Sequence, residues 1–149
     1  MPIVTFYLVD ELYSDGMIAG LLSDASQFYA QTLYPDVSPP PIERVRAFVS
    51  SVKPQHWMTG GKLVSGGGLQ APYFTCLALA GRPKDQMEAL LSGMTDVIVR
   101  HLNCERGAVR GQIIVIDPDH WAIGGQLASA VRSGEIAARA PATKPQAGS

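Results

Sequence analysis

Pro2 follows the initiator methionine directly and opens the apolar run Pro2-Ile3-Val4-Thr5-Phe6-Tyr7-Leu8-Val9. Methionine is commonly clipped ahead of a small residue. Clipping here would leave a secondary amine at the very start of a strand. An α-amine has an ordinary pKa of about 7.7–8.0, so modest desolvation or a neighbouring cation makes it neutral and basic near neutrality. A neutral amine held against a core is what a proton-transfer catalyst needs. The competing reading is purely structural: proline starts a strand, where its missing N–H costs little.

Other side chains with chemical potential form no recognisable constellation. His56, His101 and His120 show neither HExxH spacing nor nearby ligands, so no metal is expected. His120 stands beside Trp121, within reach of a pocket on that segment, but a solvated loop histidine is the stronger reading. Cys76 and Cys104 form no CxxC pair; each reads as a small buried hydrophobe, and a reducing cytoplasm fits. The glycines from Gly60 to Gly68 lack the Gly-Lys-Ser/Thr order of a phosphate loop and precede no helix pattern, so they read as a hairpin. Single serines provide no Ser–His–Asp set.

At 149 residues the chain is most simply one folded unit, with an adequate core. Thirteen acidic and twelve basic residues nearly balance and form no block of like charge. Nucleic-acid and anionic-membrane binding draw on an excess of Lys and Arg, so neither partner is expected. No apolar run approaches the roughly twenty residues of a membrane span, and the start lacks a basic leader with a small-residue cleavage site.

The elements that must position Pro2 follow from periodicity. After the first strand, Ser14-Asp15 predicts a helix start. Met17, Ile18, Leu21, Leu22, Ala25, Phe28, Tyr29 and Leu33 then recur at helical spacing until Pro35. Val37-Ser38-Pro39-Pro40-Pro41 is a stiff connector, and Val45 to Val52 predicts a strand. Gly60-Gly61 and Gly66-Gly67-Gly68 bracket a short arm, Lys62-Leu63-Val64. Tyr73 to Ala80 predicts another strand, Gly81-Arg82-Pro83 a turn, and Pro83 with Asp85 the start of a second helix. Its stripe is Met87, Leu90, Leu91, Met94, Val97, Ile98 and Leu102, and Gln112 to Ile116 is the returning strand.

Strand–helix–strand thus occurs twice, and each crossover is expected to be right-handed with parallel strands. The predicted class is α+β: a tandem β-α-β repeat forming a four-stranded mixed sheet, with two helices on one face and a short Gly-rich hairpin. Residues 1–134 form the predicted domain, and 135–149, rich in Ala, Pro, Gly and Ser, form a predicted disordered tail. Ile3, Phe6, Leu8, Leu77 and Leu79 make strands apolar on both faces. The second face therefore needs a cover, and self-association through the sheets is the economical one.

A β-α-β repeat of this size that begins with proline resembles the tautomerase superfamily, and within it the malonate semialdehyde decarboxylase and cis-3-chloroacrylic acid dehalogenase groups. The likeness runs from Pro2 to about Gly134. Pro2, the turn Gly81-Arg82-Pro83-Lys84 and the segment Asp119-His120-Trp121-Ala122-Ile123-Gly124 carry it, in that order.

The resemblance implies a cofactor-free homotrimer acting on a small carboxylate, with Pro2 as general acid or base. It places the substrate carboxylate on Arg82, whose guanidinium at a strand-to-helix turn can fork onto an anion beside helix N–H groups. Such a charge also lowers the pKa of a nearby amine. Lys84 stands where the decarboxylases carry a second arginine; it keeps the charge and loses the fork. Glu43, followed by Arg44, stands in place of a catalytic aspartate that polarises substrate or water. Trp121 and Ile123 match an apolar wall against the proline.

Departures from the pattern narrow the reaction. Ser26 replaces a histidine on the first helix, Leu79 a first arginine, and Ala122 a water-activating glutamate. Hydrolytic dehalogenation loses its apparatus, whereas keto–enol tautomerisation and malonate-semialdehyde-type decarboxylation need only an acid–base amine and an anion-binding cation. A second expectation of different class is an oligomeric module that binds a small carboxylate without turnover.

Overall fold

Val4, Phe6 and Leu8 alternate with Ile3, Thr5 and Tyr7 along the first strand, and the alternation sorts them cleanly: the first set is buried and the second only half-buried. The computed structural model describes residues 2–139. In it β1 (Ile3–Val9) lies parallel to β2 (Arg46–Val52) and antiparallel to β5 (Tyr73–Leu79), which is parallel to β6 (Arg110–Ile116). The sheet order is β2-β1-β5-β6. Two two-stranded hairpins stand outside it, β3 (Met58–Thr59) with β4 (Lys62–Leu63) and β7 (Ala122–Ile123) with β8 (Gln126–Leu127). This is the predicted mixed sheet and Gly-rich hairpin, with a second hairpin that the sequence reading did not include.

Helix α1 (Asp15–Leu33) is capped by Ser14, whose hydroxyl accepts from the Met17 N–H at 3.1 Å. It ends where Pro35 denies it another turn. Helix α2 (Lys84–Leu102) has Pro83 as its N-cap rather than its first residue, and it closes on Asn103 in the left-handed conformation. Leu21, Ala25 and Tyr29 of α1 and Leu90, Met94, Val97 and Ile98 of α2 share one core with Val4, Phe6, Leu8, Phe74 and Cys76. Both helices therefore cover the same sheet face. Across it, the Tyr29 hydroxyl donates to the Leu77 carbonyl at 2.5 Å.

Among the described residues nothing covers the opposite face. Phe48 is 51% exposed and Ile114 38% exposed, and Tyr7 stacks on Tyr73 with ring centroids 5.2 Å apart. Among the described residues no helix is long and apolar enough to cross a membrane.

The two halves repeat more closely than periodicity alone indicates. Pro54-Gln55-His56-Trp57-Met58-Thr59-Gly60-Gly61-Lys62-Leu63 recurs as Pro118-Asp119-His120-Trp121-Ala122-Ile123-Gly124-Gly125-Gln126-Leu127. Each segment makes a 3₁₀ turn and then a hairpin, and each hairpin turns on two glycines with positive φ, 61° and 81° in the first and 57° and 84° in the second. Two consecutive left-handed residues are what a tight two-residue hairpin demands. Arg46 N–H donates to the Pro2 carbonyl at 3.0 Å, and Arg110 N–H to the Pro72 carbonyl at 3.0 Å. Pro72 is thus the internal counterpart of Pro2, and both are fully buried.

After β8 the chain forms α3 (Ala128–Val131) and α4 (Ser133–Arg139). Over the first residues of the predicted disordered tail the structure differs: 135–139 are helical, and Glu135 there pairs with Arg44, remote in sequence, and faces Arg132 three positions before it. The rest of that predicted tail, 140–149, lies outside the described residues.

Candidate active site

The start of β1, the 3₁₀ turn Ile42–Arg44 before β2, and the second hairpin converge on one cavity of about 520 Å³. Ile3, Glu43, Arg44 and Arg46 form one side of its lining. Trp121, Ala122, Ile123 and Gly124 of the hairpin, with Arg132 just after α3, form the rest. Three guanidinium groups and one carboxylate line it, which suits a small anion.

Of the residues singled out in the sequence, Glu43, Trp121 and Ile123 come together here. Pro2 is not itself a lining residue; its side chain is buried, and its neighbour Ile3 forms part of the wall. While Met1 is present its nitrogen is the amide joined to that residue. The backbone ties this strand end to the site, because the N–H of Arg46, a lining residue, holds the Pro2 carbonyl. Arg46 is steadied in turn by donating from Nη1 to the Glu43 carbonyl at 3.1 Å and the Val45 carbonyl at 3.3 Å.

Arg82 lies apart from the lining. Its Nη1 donates to the Leu33 carbonyl at 2.8 Å and to Gln86 Oε1 at 3.2 Å, tying the β5–α2 turn to the end of α1. Its guanidinium carbon sits 5.1 Å from the Tyr34 ring centroid, and that of Arg44 sits 5.1 Å from the same centroid. One aromatic ring thus links Arg82 to the cavity through Arg44 by cation–π contacts. Lys84 does not join them: its side chain is 90% exposed and faces Glu88 one helical turn on. Ser26 also stands elsewhere, its hydroxyl donating to the Leu22 carbonyl within α1.

Arg46 and Arg132 were not singled out by sequence reasoning, and Arg44 entered it only as the arginine that follows Glu43. The recurrence of the Trp57 segment at Trp121 is the signal that could have marked the second hairpin as a structural arm. No comparable signal marked Arg132. Arg44 Nη1 donates to Glu135 Oε1 at 2.9 Å, and Arg132 Nε lies 3.9 Å from Glu135 Oε2. Burial alone would pull the Arg44 guanidinium pKa down, but Tyr34 and Glu135 together hold it above its ordinary value. A second hollow, about 350 Å³, opens between Tyr34, Pro35 and Val37 after α1 and Glu135 and Ala138 of α4. Among the described residues no three His, Cys, Asp or Glu side chains gather as metal ligands would.

No protein-family model matches the chain, and no curated protein matches it in sequence. Solved structures do share its fold. The F6 fused 4-OT, a wild-type asymmetric trimer, is 25% identical with a TM-score of 0.75; the match spans 87% of this chain and 98% of that one. Pt0534 inactivated by 2-oxo-3-pentynoate is 18% identical over the same shares, with a TM-score of 0.76. The fold is the tautomerase fold. Its reach extends to the macrophage migration inhibitory factor of Toxoplasma gondii, 15% identical over 84% of this chain and 98% of that one, with a TM-score of 0.67. The tautomerase fold accounts for the doubled β-α-β unit and the four-stranded sheet.

Proposed function

We propose that the chain, once Met1 is removed, is a cofactor-free tautomerase of small oxo acids with Pro2 as its acid–base group. The observation that carries this reading is the arginine-lined cavity at the start of β1, where Ile3 forms part of the wall. In the forward direction the neutral Pro2 amine takes a proton from the carbon next to the keto group. The C–H electrons become the C=C bond of an enolate, and oxygen takes the negative charge. Reprotonation on oxygen gives the enol, and the reverse sequence restores the ketone. Guanidinium groups lining the cavity stabilise the enolate and hold the carboxylate, acting where charge develops.

Their field also lowers the pKa of the amine, keeping it basic near neutrality. Glu43 is the group suited to carry the enol proton, and Trp121 and Ile123 shape the apolar wall. Arg82 contributes charge behind the Tyr34 ring, and Lys84 is left to solvent. Malonate-semialdehyde-type decarboxylation would use the same amine in its protonated form to polarise a β-carbonyl. The exposed Phe48 and Ile114 on the uncovered sheet face, and the trimeric fused 4-OT with the same fold, support a homotrimer.

Intact mass tests the premise, since a retained Met1 leaves Pro2 without a basic amine and reduces the chain to a carboxylate-binding module. Enol–keto conversion of phenylpyruvate, followed by ultraviolet absorbance, tests turnover. Pro2→Ala is expected to slow it by about a hundredfold, the scale of general acid–base catalysis. Equal rates for the two proteins would end the proposal. Malonate semialdehyde assayed alongside separates isomerase from lyase.

A further inference from the structure

Glu135 is a carboxylate already seated where a ligand carboxylate would go. Its two oxygens face different guanidiniums: Oε1 accepts from Arg44 Nη1 at 2.9 Å, while Oε2 stands 3.9 Å from Arg132 Nε. Both arginines line the 520 Å³ cavity, whereas Glu135 lines the neighbouring hollow and reaches across. The Arg132 Nε is buried and has no hydrogen-bond partner among the described residues, because 3.9 Å is too long for one. A buried N–H in this state is unfinished in a way that native proteins rarely tolerate.

We propose that Arg44 and Arg132 are a two-arginine clamp for the carboxylate of a small oxo acid, and that Glu135 is a tethered surrogate which the ligand displaces. The inference deepens the carboxylate-binding part of the function proposed above and does not depend on its proton chemistry. Three features make the surrogate displaceable. The Glu135 side chain is 39% exposed and that of Arg44 21%, so water screens the pair and its strength is modest. Helix α4 has seven residues, too few to hold helical structure without its anchor. A free carboxylate is not bound to the geometry of α4 and can approach Arg132 closely enough to complete its Nε hydrogen bond. The Tyr34 ring against the Arg44 guanidinium keeps one half of the clamp in place when Glu135 leaves.

A tethered competitor lowers apparent affinity by its own effective concentration. Removing its charge with Glu135→Gln is expected to tighten malonate binding, measured by calorimetry on the full chain, by about fivefold. Arg44→Gln and Arg132→Gln should each weaken it at least about tenfold, as charge-assisted bonds to a carboxylate require. Glu88→Gln, on the exposed face of α2, should change nothing. In the unaltered protein, malonate should speed amide hydrogen exchange across residues 133–139 as α4 is released. Unchanged or weaker binding by Glu135→Gln overturns the surrogate role. Slower or unchanged exchange in 133–139 overturns the displacement. Binding that obeys these expectations without any turnover of phenylpyruvate leaves the clamp standing and removes the tautomerase reading alone.

Discussion

Adding one methyl group at Gly111 is expected to destabilise the protein more than adding one at Gly93, although both glycines lie beneath a phenylalanine ring. A Cβ at Gly111 would come within 2.1 Å of Phe74 Cζ, and a Cβ at Gly93 within 2.0 Å of Phe28 Cζ. Carbon–carbon contact is comfortable only near 3.5–4.0 Å, so each ring tip must retreat by about 1.5 Å. What differs is the room available. Phe74 is 1% exposed and faces Gly111 directly across the β5–β6 ladder, packed in the main core. Moving it forces neighbouring side chains off their rotamers, at a cost of about 1–3 kcal/mol. Relief of glycine's backbone entropy returns about 0.5–1 kcal/mol, so the middle of these ranges leaves Gly111→Ala destabilised by about 1 kcal/mol. Phe28 is only half-buried at the edge of that core and can rotate outward, while alanine in mid-helix returns about 1 kcal/mol. Gly93→Ala is therefore expected within about 1 kcal/mol of the parent. Urea denaturation reads both: Gly111→Ala should lower the midpoint by about 0.5–1 M with an unchanged slope. A neutral or stabilised Gly111→Ala, or a larger loss at Gly93, would refute the packing argument.

Tyr29→Phe removes a buried donor to the Leu77 carbonyl, so stability should fall by about 1–2 kcal/mol in the same urea assay. Burial pushes the Cys76 thiol pKa up to about 12, so it should react with a thiol reagent only on unfolding, whereas half-buried Cys104 reacts in the native state. Asp24 accepts hydrogen bonds from Arg100 and pairs with His101 at 2.9 Å, which lowers its carboxyl pKa below the ordinary 3.8. The unfolded chain then binds more protons than the folded one between the two values. Asp24's contribution is accordingly complete above about pH 4 and lost as pH falls through the lowered value. The pair is well exposed, so Asp24→Asn should cost under about 1 kcal/mol near neutrality and progressively less as the pH is taken below the ordinary 3.8, a convergence that urea midpoints across that range would check.

The long elements were legible because their signals are local. Ser14 capped α1, Pro35 stopped it, and the apolar stripes from Leu21 to Leu33 and from Leu90 to Leu102 are the buried faces observed. Strand ends were less certain: β6 begins at Arg110, two residues before the predicted start at Gln112, because ladder pairing extends past the hydrophobic pattern. Glu43, Trp121 and Ile123, which the family resemblance singled out, line one cavity. Arg82 and Lys84 do not, and the reason is spatial. A cation after a strand can turn toward a helix end or toward solvent, and Arg82 found the Leu33 carbonyl while Lys84 found water and Glu88. The Arg44–Glu135 pair spans ninety-one positions, beyond any periodicity, and it ties the helix at the start of the predicted tail to a cavity residue.

The matching of Pro2 with Pro72 sets a limit on how many reactive ends the architecture can have. Two identical half-length chains would each begin with proline, and each proline could become an amine. Joining the halves turns the second into a link of the backbone, bonded to Ala71 and closed to protonation at nitrogen. The second half keeps the arm, the arginine that holds the proline carbonyl and the tryptophan. Where the first half has Glu43-Arg44, it has Gly107-Ala108. Relieved of any need to carry charge there, one copy is free to serve as scaffold while the other specialises, an asymmetry that a self-assembling half-length chain could never acquire.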